Sequence, residues 1–82
     1  MKITAIIPTL NEKIHIEASI KSVDFADEII VIDSFSTDAT IELAKQHDVK
    51  IVQRVFDDFS SQKNFAIDLA KNDWIYILDA DE

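Results

Sequence analysis

Two aspartates, Asp79 and Asp81, are the residues of this chain whose type and spacing best suit metal chemistry. They follow an apolar run at residues 74–78 that predicts a buried strand. Two carboxylates placed where a strand ends can face one hard cation, and Mg²⁺ or Mn²⁺ then keeps further positions for phosphate oxygens. The pair therefore predicts a metal site, and a solvated acidic turn remains the alternative interpretation.

Asp33 is a second acid that directly follows a nearly all-apolar run, at residues 28–32. An acid at this place can accept hydrogen bonds from a ribose or a base. It can equally serve as a turn or capping residue, because the segment Asp-Ser-Phe-Ser-Thr-Asp that it opens is rich in capping residues. The residues alone leave both interpretations open.

A third polar segment, Pro-Thr-Leu-Asn-Glu at residues 8–12, follows the first apolar run at residues 3–7. Pro8 is expected to end that strand, and Asn11 to cap a helix that carries Ile16 and Ile20 on one face. Near the start of a later helix, Lys63 is one of few cations close to these strand ends. It is either a phosphate contact or an ordinary surface lysine.

The elements that must position these residues alternate between strands and helices. Residues 3–7, 28–32, 49–55 and 74–78 are predicted strands, and helices are expected to begin near Asn11, within residues 36–38 and at Ser60 or Ser61. A β-α-β-α-β-α-β order predicts an α/β fold with an open parallel sheet and strand order 3-2-1-4. Ligands bind such sheets at the carboxyl ends of the strands, beside the point where the strand order reverses.

Composition excludes several classes of function. Sixteen acidic and eight basic residues give a net charge of −8, which argues against binding to nucleic acid or to anionic lipid. The absence of glycine excludes the Gly-x-Gly-x-x-Gly and P-loop phosphate-binding motifs, and the absence of cysteine excludes disulfides and thiolate metal sites. No apolar run reaches the length of a membrane span, and the expected location is the cytoplasm.

Some smaller expectations follow from the same residues. Asp48, Asn72 and Asp73 are predicted to take the positive φ values that glycine would otherwise supply. Trp74 and Tyr76 are predicted to pack on the sheet. His15 and His47 lack partners at metal-ligand spacing and are expected on the surface.

Four motifs together resemble family 2 glycosyltransferases, which have the GT-A fold. They are Ile-Pro-Thr-Leu-Asn-Glu at residues 7–12, Asp-Ser-Phe-Ser-Thr-Asp-Ala-Thr at 33–40, Gln-Lys-Asn at 62–64 and Leu-Asp-Ala-Asp-Glu at 78–82. Within the family, residues 25–34 and 62–66 are most similar to the branch of lipopolysaccharide-core β-1,4-glucosyltransferases.

The resemblance implies a role for each matching position. Asp33 and Ser34 would contact the donor's base, and Lys63 would lie near the base and phosphates. Asp79 would touch the ribose and share with Asp81 the Mg²⁺ or Mn²⁺ that bridges the diphosphate. The residues expected along the base and ribose are Pro8, Leu10, Asn11 and Glu12.

The implied activity is inverting transfer of a sugar, with glucose from UDP-glucose expected, to a saccharide acceptor. Residues 1–82 would form the nucleotide-sugar-binding N-terminal part of a longer domain whose catalytic base lies downstream, so the chain alone should not catalyse. Peripheral membrane association is expected only of the longer protein. Phe35 stands where many members have glycine, which weakens the expectation for Ser34.

Two other functions fit some of the residues. A receiver-like domain would hold Mg²⁺ at its strand ends, with Asp57 as its acid after the third strand. A non-catalytic fragment would associate with itself through the exposed outer edge of the fourth strand, because an unpaired edge invites pairing with another chain.

Overall fold

A computed structural model describes residues 2–78, which form four parallel strands and three helices. The sheet has the order β3-β2-β1-β4, which confirms the predicted α/β class and the strand order 3-2-1-4. The strands are β1 (Ile3–Thr9), β2 (Glu28–Asp33), β3 (Lys50–Gln53) and β4 (Trp74–Ile77). The helices are α1 (Ile16–Ser22), α2 (Thr40–Ala44) and α3 (Phe59–Leu69).

Helices cover the central strands on both faces of the sheet. Ala5 and Ile7 of β1 pack with α1 on one face, while Ile6 packs with Ala66 of α3 on the other. Because both faces of β2 are covered, its side chains form a nearly continuous buried run from Ile30 to Asp33. Strand β1 lies between β2 and β4. The helix that precedes β2 and the helix that precedes β4 lie on opposite faces of the sheet, so the strand order reverses at β1.

Pro8 does not end β1, which continues to Thr9. Its missing N–H concerns the side of β1 that faces β4, because backbone groups along a strand point alternately to its two neighbours. The carbonyl of Ile6 accepts from the Leu78 N–H at 2.9 Å, so Pro8, two residues later, faces the same neighbour. Proline has no N–H to donate there, and within residues 2–78 the β1–β4 register pairs Ile3–Ile6 with Trp74–Ile77.

The prediction that Asn11 caps the first helix is wrong. The N-cap of α1 is His15, whose side chain makes no capping hydrogen bond. The prediction that the second helix begins within residues 36–38 is also wrong, because α2 begins at Thr40. Asn11 and Ser36 bond across two loops instead of capping a helix, whereas Asp38 accepts from the N–H of Thr40, the first residue of α2, at 2.9 Å.

The later elements differ from the sequence predictions at their ends. The third strand covers Lys50–Gln53 rather than residues 49–55, and α3 begins at Phe59, earlier than Ser60 or Ser61. Asp58 is its N-cap and accepts from the Ser61 N–H at 2.7 Å. That bond satisfies one of the free N–H groups of the first turn.

Trp74 and Tyr76, which were predicted to pack on the sheet, are 58% and 44% exposed on β4, the last strand of the described sheet on that side. Tyr76 instead meets Phe25 edge to face, with ring centroids 5.7 Å apart. His47 is half-buried, and its Nε2 lies 2.8 Å from a Glu17 carboxylate oxygen. No helix within residues 2–78 is long and apolar enough to cross a membrane.

Candidate functional site

Two loops meet at the carboxyl edge of the sheet, after β1 and after β2, and Asn11 joins them. Its Oδ1 accepts from the N–H of Thr37 at 2.8 Å and from the N–H of Asp38 at 3.3 Å. Asn11 has a φ of 53°, a left-handed conformation that asparagine tolerates better than most residues. Its side-chain oxygen therefore caps the neighbouring loop rather than its own helix.

Ser36 forms the second link between these loops. Its Oγ accepts from the Asn11 N–H at 2.8 Å and donates to Oδ1 of Asp33. Its backbone N–H donates to Oδ2 of Asp33 at 2.8 Å. Asn11, Ser36 and Asp33 thus form one chain of hydrogen bonds, which we call the loop network.

Asp33 lies at the inner end of the loop network and is fully buried. Besides the two Ser36 donors, the side-chain amide of Gln53 donates to its Oδ2 at 3.3 Å. Its carboxylate is therefore bonded on both oxygens within the protein. The sequence left open whether Asp33 contacts a ligand or serves as a turn or capping residue. These hydrogen bonds are of the kind that a turn or capping residue makes.

Further bonds fix the loops to the start of α2. The Glu12 N–H donates to the Thr40 hydroxyl at 2.9 Å, and the Lys13 N–H donates to Asp38 at 3.3 Å. Hydrogen bonds from the hydroxyl and then the N–H of Thr40 lower the pKa of Asp38 below its ordinary value. The two loops are consequently tied at several points.

A pocket of about 210 Å³ opens beside this edge, where β1 and β4 end against α3. It contains two of the residues that the sequence singled out, Pro8 and Lys63. Gln62 also lines it, although only 5% of that residue is exposed. The other lining residues are the apolar Ile6, Phe59 and Ile77. The result is an apolar pocket with one exposed cation at the point where the strand order reverses.

Of the remaining predicted site residues, two lie on the loops at the carboxyl edge and two lie outside the described residues. Leu10 is 52% exposed, while Ser34 is half-buried and donates its N–H to the Thr9 carbonyl at 2.9 Å. Both lie on the loops at the carboxyl edge. Asp79 and Asp81 lie outside the described residues, and within residues 2–78 no group of three or more acids or histidines could hold a metal ion.

Sequence reasoning missed a cluster that shapes the loop after β3. Arg54 donates to both carboxylate oxygens of Asp57, at 2.8 and 3.0 Å, and lies over the Phe65 ring at 5.1 Å from its centroid. The hydrogen bonds from Arg54 lower the pKa of Asp57 to about 2. Spacing of three residues was the only signal for this pair. Asp57, the acid of the receiver-like interpretation, is thus paired with Arg54 and half exposed.

A larger pocket, of about 550 Å³, lies at the opposite, amino edge of the sheet. Both acidic and basic residues line it, among them Asp24, Asp48, Lys21 and Lys71. It contains none of the predicted site residues. Size alone would favour this pocket, but the reversal of strand order at the carboxyl edge favours the smaller one.

Comparison with known proteins decides the family. The sequence model of the family described as glycosyl transferase family 2 matches residues 4–82. The chain belongs to this family. A related sequence is an uncharacterized glycosyltransferase of Rickettsia bellii (strain RML369-C), which is 48% identical over 99% of this chain. Another is the SPbeta prophage-derived glycosyltransferase SunS of Bacillus subtilis (strain 168), 42% identical over 96% of this chain.

Solved structures show the same architecture. Glucosyl-3-phosphoglycerate synthase from Mycobacterium tuberculosis in complex with UDP matches 99% of this chain at a TM-score of 0.84 and 29% identity. The same enzyme with Mn²⁺, UDP and glucosyl-3-phosphoglycerate matches 96% at 0.82 and 28% identity. This family 2 chain spans 28% of the Rickettsia protein's length, 20% of SunS and about a third of the synthase.

Proposed function

We propose that residues 1–82 are the nucleotide-sugar-binding N-terminal part of a glycosyltransferase domain that moves a sugar from a nucleotide-diphosphate donor to a saccharide acceptor. The observation that carries this proposal is the pocket at the carboxyl edge. In a chain of this family, it brings Pro8 and Lys63 together beside the strand that leads into Asp79. An apolar wall suits a base or sugar ring, and the lysine suits a phosphate.

Asp79 and Asp81 are the proposed ligands of a Mg²⁺ or Mn²⁺ ion. Two carboxylates fit such an ion because hard cations take oxygen ligands and readily share them with a phosphorylated substrate. The chain reaches them directly from Leu78, which bonds to Ile6 of β1 at the reversal point. When bound, the ion would neutralise charge that develops on the departing diphosphate.

The donor contacts proposed for the other residues follow the two tied loops. Leu10, Asn11 and Glu12 line the base and ribose from the loop after β1, together with Pro8 at the pocket. Ser34 reaches the base from the loop after β2. The loop network already occupies both oxygens of Asp33, so we assign Asp33 the weaker direct contact.

The proposals on donor sugar, stereochemistry and location rest on the motifs that resemble the lipopolysaccharide-core branch. They are UDP-glucose as the donor, inversion at the transferred carbon, and a cytoplasmic protein. The base that removes the acceptor's proton is proposed to lie outside residues 1–82. We also propose peripheral membrane association of the longer protein. A further proposal is self-association through the outer edge of β4, which the exposed Trp74 and Tyr76 support.

Calorimetric titration of the protein at its full natural length tests this function. UDP should bind in the presence of Mn²⁺, bind far more weakly after chelation with EDTA, and outcompete NAD, which serves as the control ligand. Lys63→Ala should weaken UDP binding about tenfold, as expected for one charge-assisted phosphate contact. The matched variant Lys21→Ala, at the amino edge, should bind as the wild type does. Equal affinities with and without metal, or no binding of UDP at all, would overturn the proposal.

A further inference from the structure

Phe35 has an unusual backbone conformation in the loop after β2. Its φ is 61°, in the left-handed region that strains every residue with a side chain and strains asparagine and aspartate least. The only other described residue with positive φ is Asn11, which uses that conformation to bond two backbone groups. The predicted left-handed residues Asp48, Asn72 and Asp73 have negative φ values, so those predictions are wrong.

The loop network imposes this conformation on Phe35. On its N-terminal side Asp33 is buried, and on its C-terminal side Ser36 donates two hydrogen bonds back to that carboxylate. Only Ser34 and Phe35 lie between these two fixed residues, so few backbone angles are left to close the loop. Asn11 holds Ser36 from the other loop, so the arrangement is stabilised by both.

Packing of the Phe35 side chain offsets the strain only in part. Phe35 is 51% exposed, so half of its surface remains in water. A glycine would satisfy the same backbone without strain and without an exposed ring. At the same loop, Asp33 has both oxygens engaged within the protein, whereas the Phe35 side chain is half exposed and free to meet a ligand.

We propose that Phe35 is a specificity-determining residue whose ring stacks on the base of the donor nucleotide. This inference rests on the proposed function. It adds a residue that contacts the base of the donor and leaves the ribose and the diphosphate to other residues. An aromatic side chain that stacks on a base strengthens binding by about tenfold. The loop network acts as the support that keeps the ring in place.

The test compares two ligands and four variants of the protein at its full natural length. UDP with Mn²⁺ carries the base, and ribose 5-diphosphate with Mn²⁺ lacks it. Phe35→Ala should raise the Kd for UDP about tenfold and leave that for ribose 5-diphosphate unchanged. Phe35→Gly should bind as weakly but melt about 2–4 °C higher, because it removes the strain. Phe35→Tyr should bind as the wild type does.

Phe25→Ala is the matched control, since Phe25 is a similarly exposed ring (57%) on the loop before β2 at the opposite edge. It should leave both affinities unchanged. The inference fails if Phe35→Ala binds UDP normally, or if it weakens both ligands equally, which would make the ring a support for the loop. It also fails if only the KM for the acceptor rises. A wild-type protein that binds no UDP would instead refute the proposed function itself.

Discussion

Replacement of Ser36 by alanine tests the loop network most sharply. The change removes the hydroxyl that donates to the buried Asp33 carboxylate and accepts from the Asn11 N–H. A hydrogen bond to a charged group contributes about 1.5–3 kcal/mol, and Asp33 keeps two other donors, so we expect a loss of about 2 kcal/mol. The exposed Asn11 N–H can bond to water and adds little.

Urea unfolding measures this loss. With a typical slope of about 2 kcal/mol per molar urea, the midpoint should fall by about 1 M without a change in slope. Ser22→Ala is the matched control, because its exposed hydroxyl bonds only to the Ser19 carbonyl, at 2.7 Å, and its removal should cost less than about 0.5 kcal/mol. The reasoning is refuted if the two variants unfold at the same midpoint.

Two further predictions concern stability. Asp57 has a pKa lowered to about 2 by Arg54, so its pairing stabilises the folded state above about pH 4 and loses this effect as the pH falls through about 2. The difference in Tm between wild type and Asp57→Asn should therefore be clearly smaller at about pH 2 than at about pH 6, because about half of the Asp57 carboxyls are protonated in the folded state at pH 2. A difference that is as large at pH 2 as at pH 6 would contradict the prediction, and Asp68→Asn is the control. Ile30→Ala should lower the free energy of unfolding in urea by about 2–5 kcal/mol, because Ile30 is fully buried. Ile67→Ala is the control and should lower it much less, since Ile67 is 45% exposed. Equal losses in the two variants would argue against this core.

The sheet was predictable from the sequence because its signals are local. Residues 28–32 are almost entirely apolar, as expected for a strand covered on both faces, and the regular alternation with helices sets the strand order. The positions of Pro8 and Lys63 near the pocket followed from that order. The same reasoning placed Asp79 and Asp81 at the same edge, where they remain a prediction.

The loop details were not predictable because long-range contacts decide them. Asn11 is an excellent capping residue, but Thr37 and Asp38, 26 and 27 positions away, take its oxygen. The left-handed φ of Phe35 likewise depends on the bond between Ser36 and Asn11, and no local signal favours it at a phenylalanine. Tertiary bonds therefore overrode local capping preferences at the edge where the site is proposed.

The most direct test of the central claim is to locate the Mn²⁺·UDP complex on the protein by paramagnetic broadening of amide signals, with Mg²⁺·UDP as the diamagnetic reference. We expect broadening at the carboxyl edge, at Leu10, Ser34 and Lys63, and sharp signals for Asp24 and Lys71 around the amino-edge pocket. Broadening at Asp24 and Lys71, with Leu10, Ser34 and Lys63 unaffected, would contradict the account.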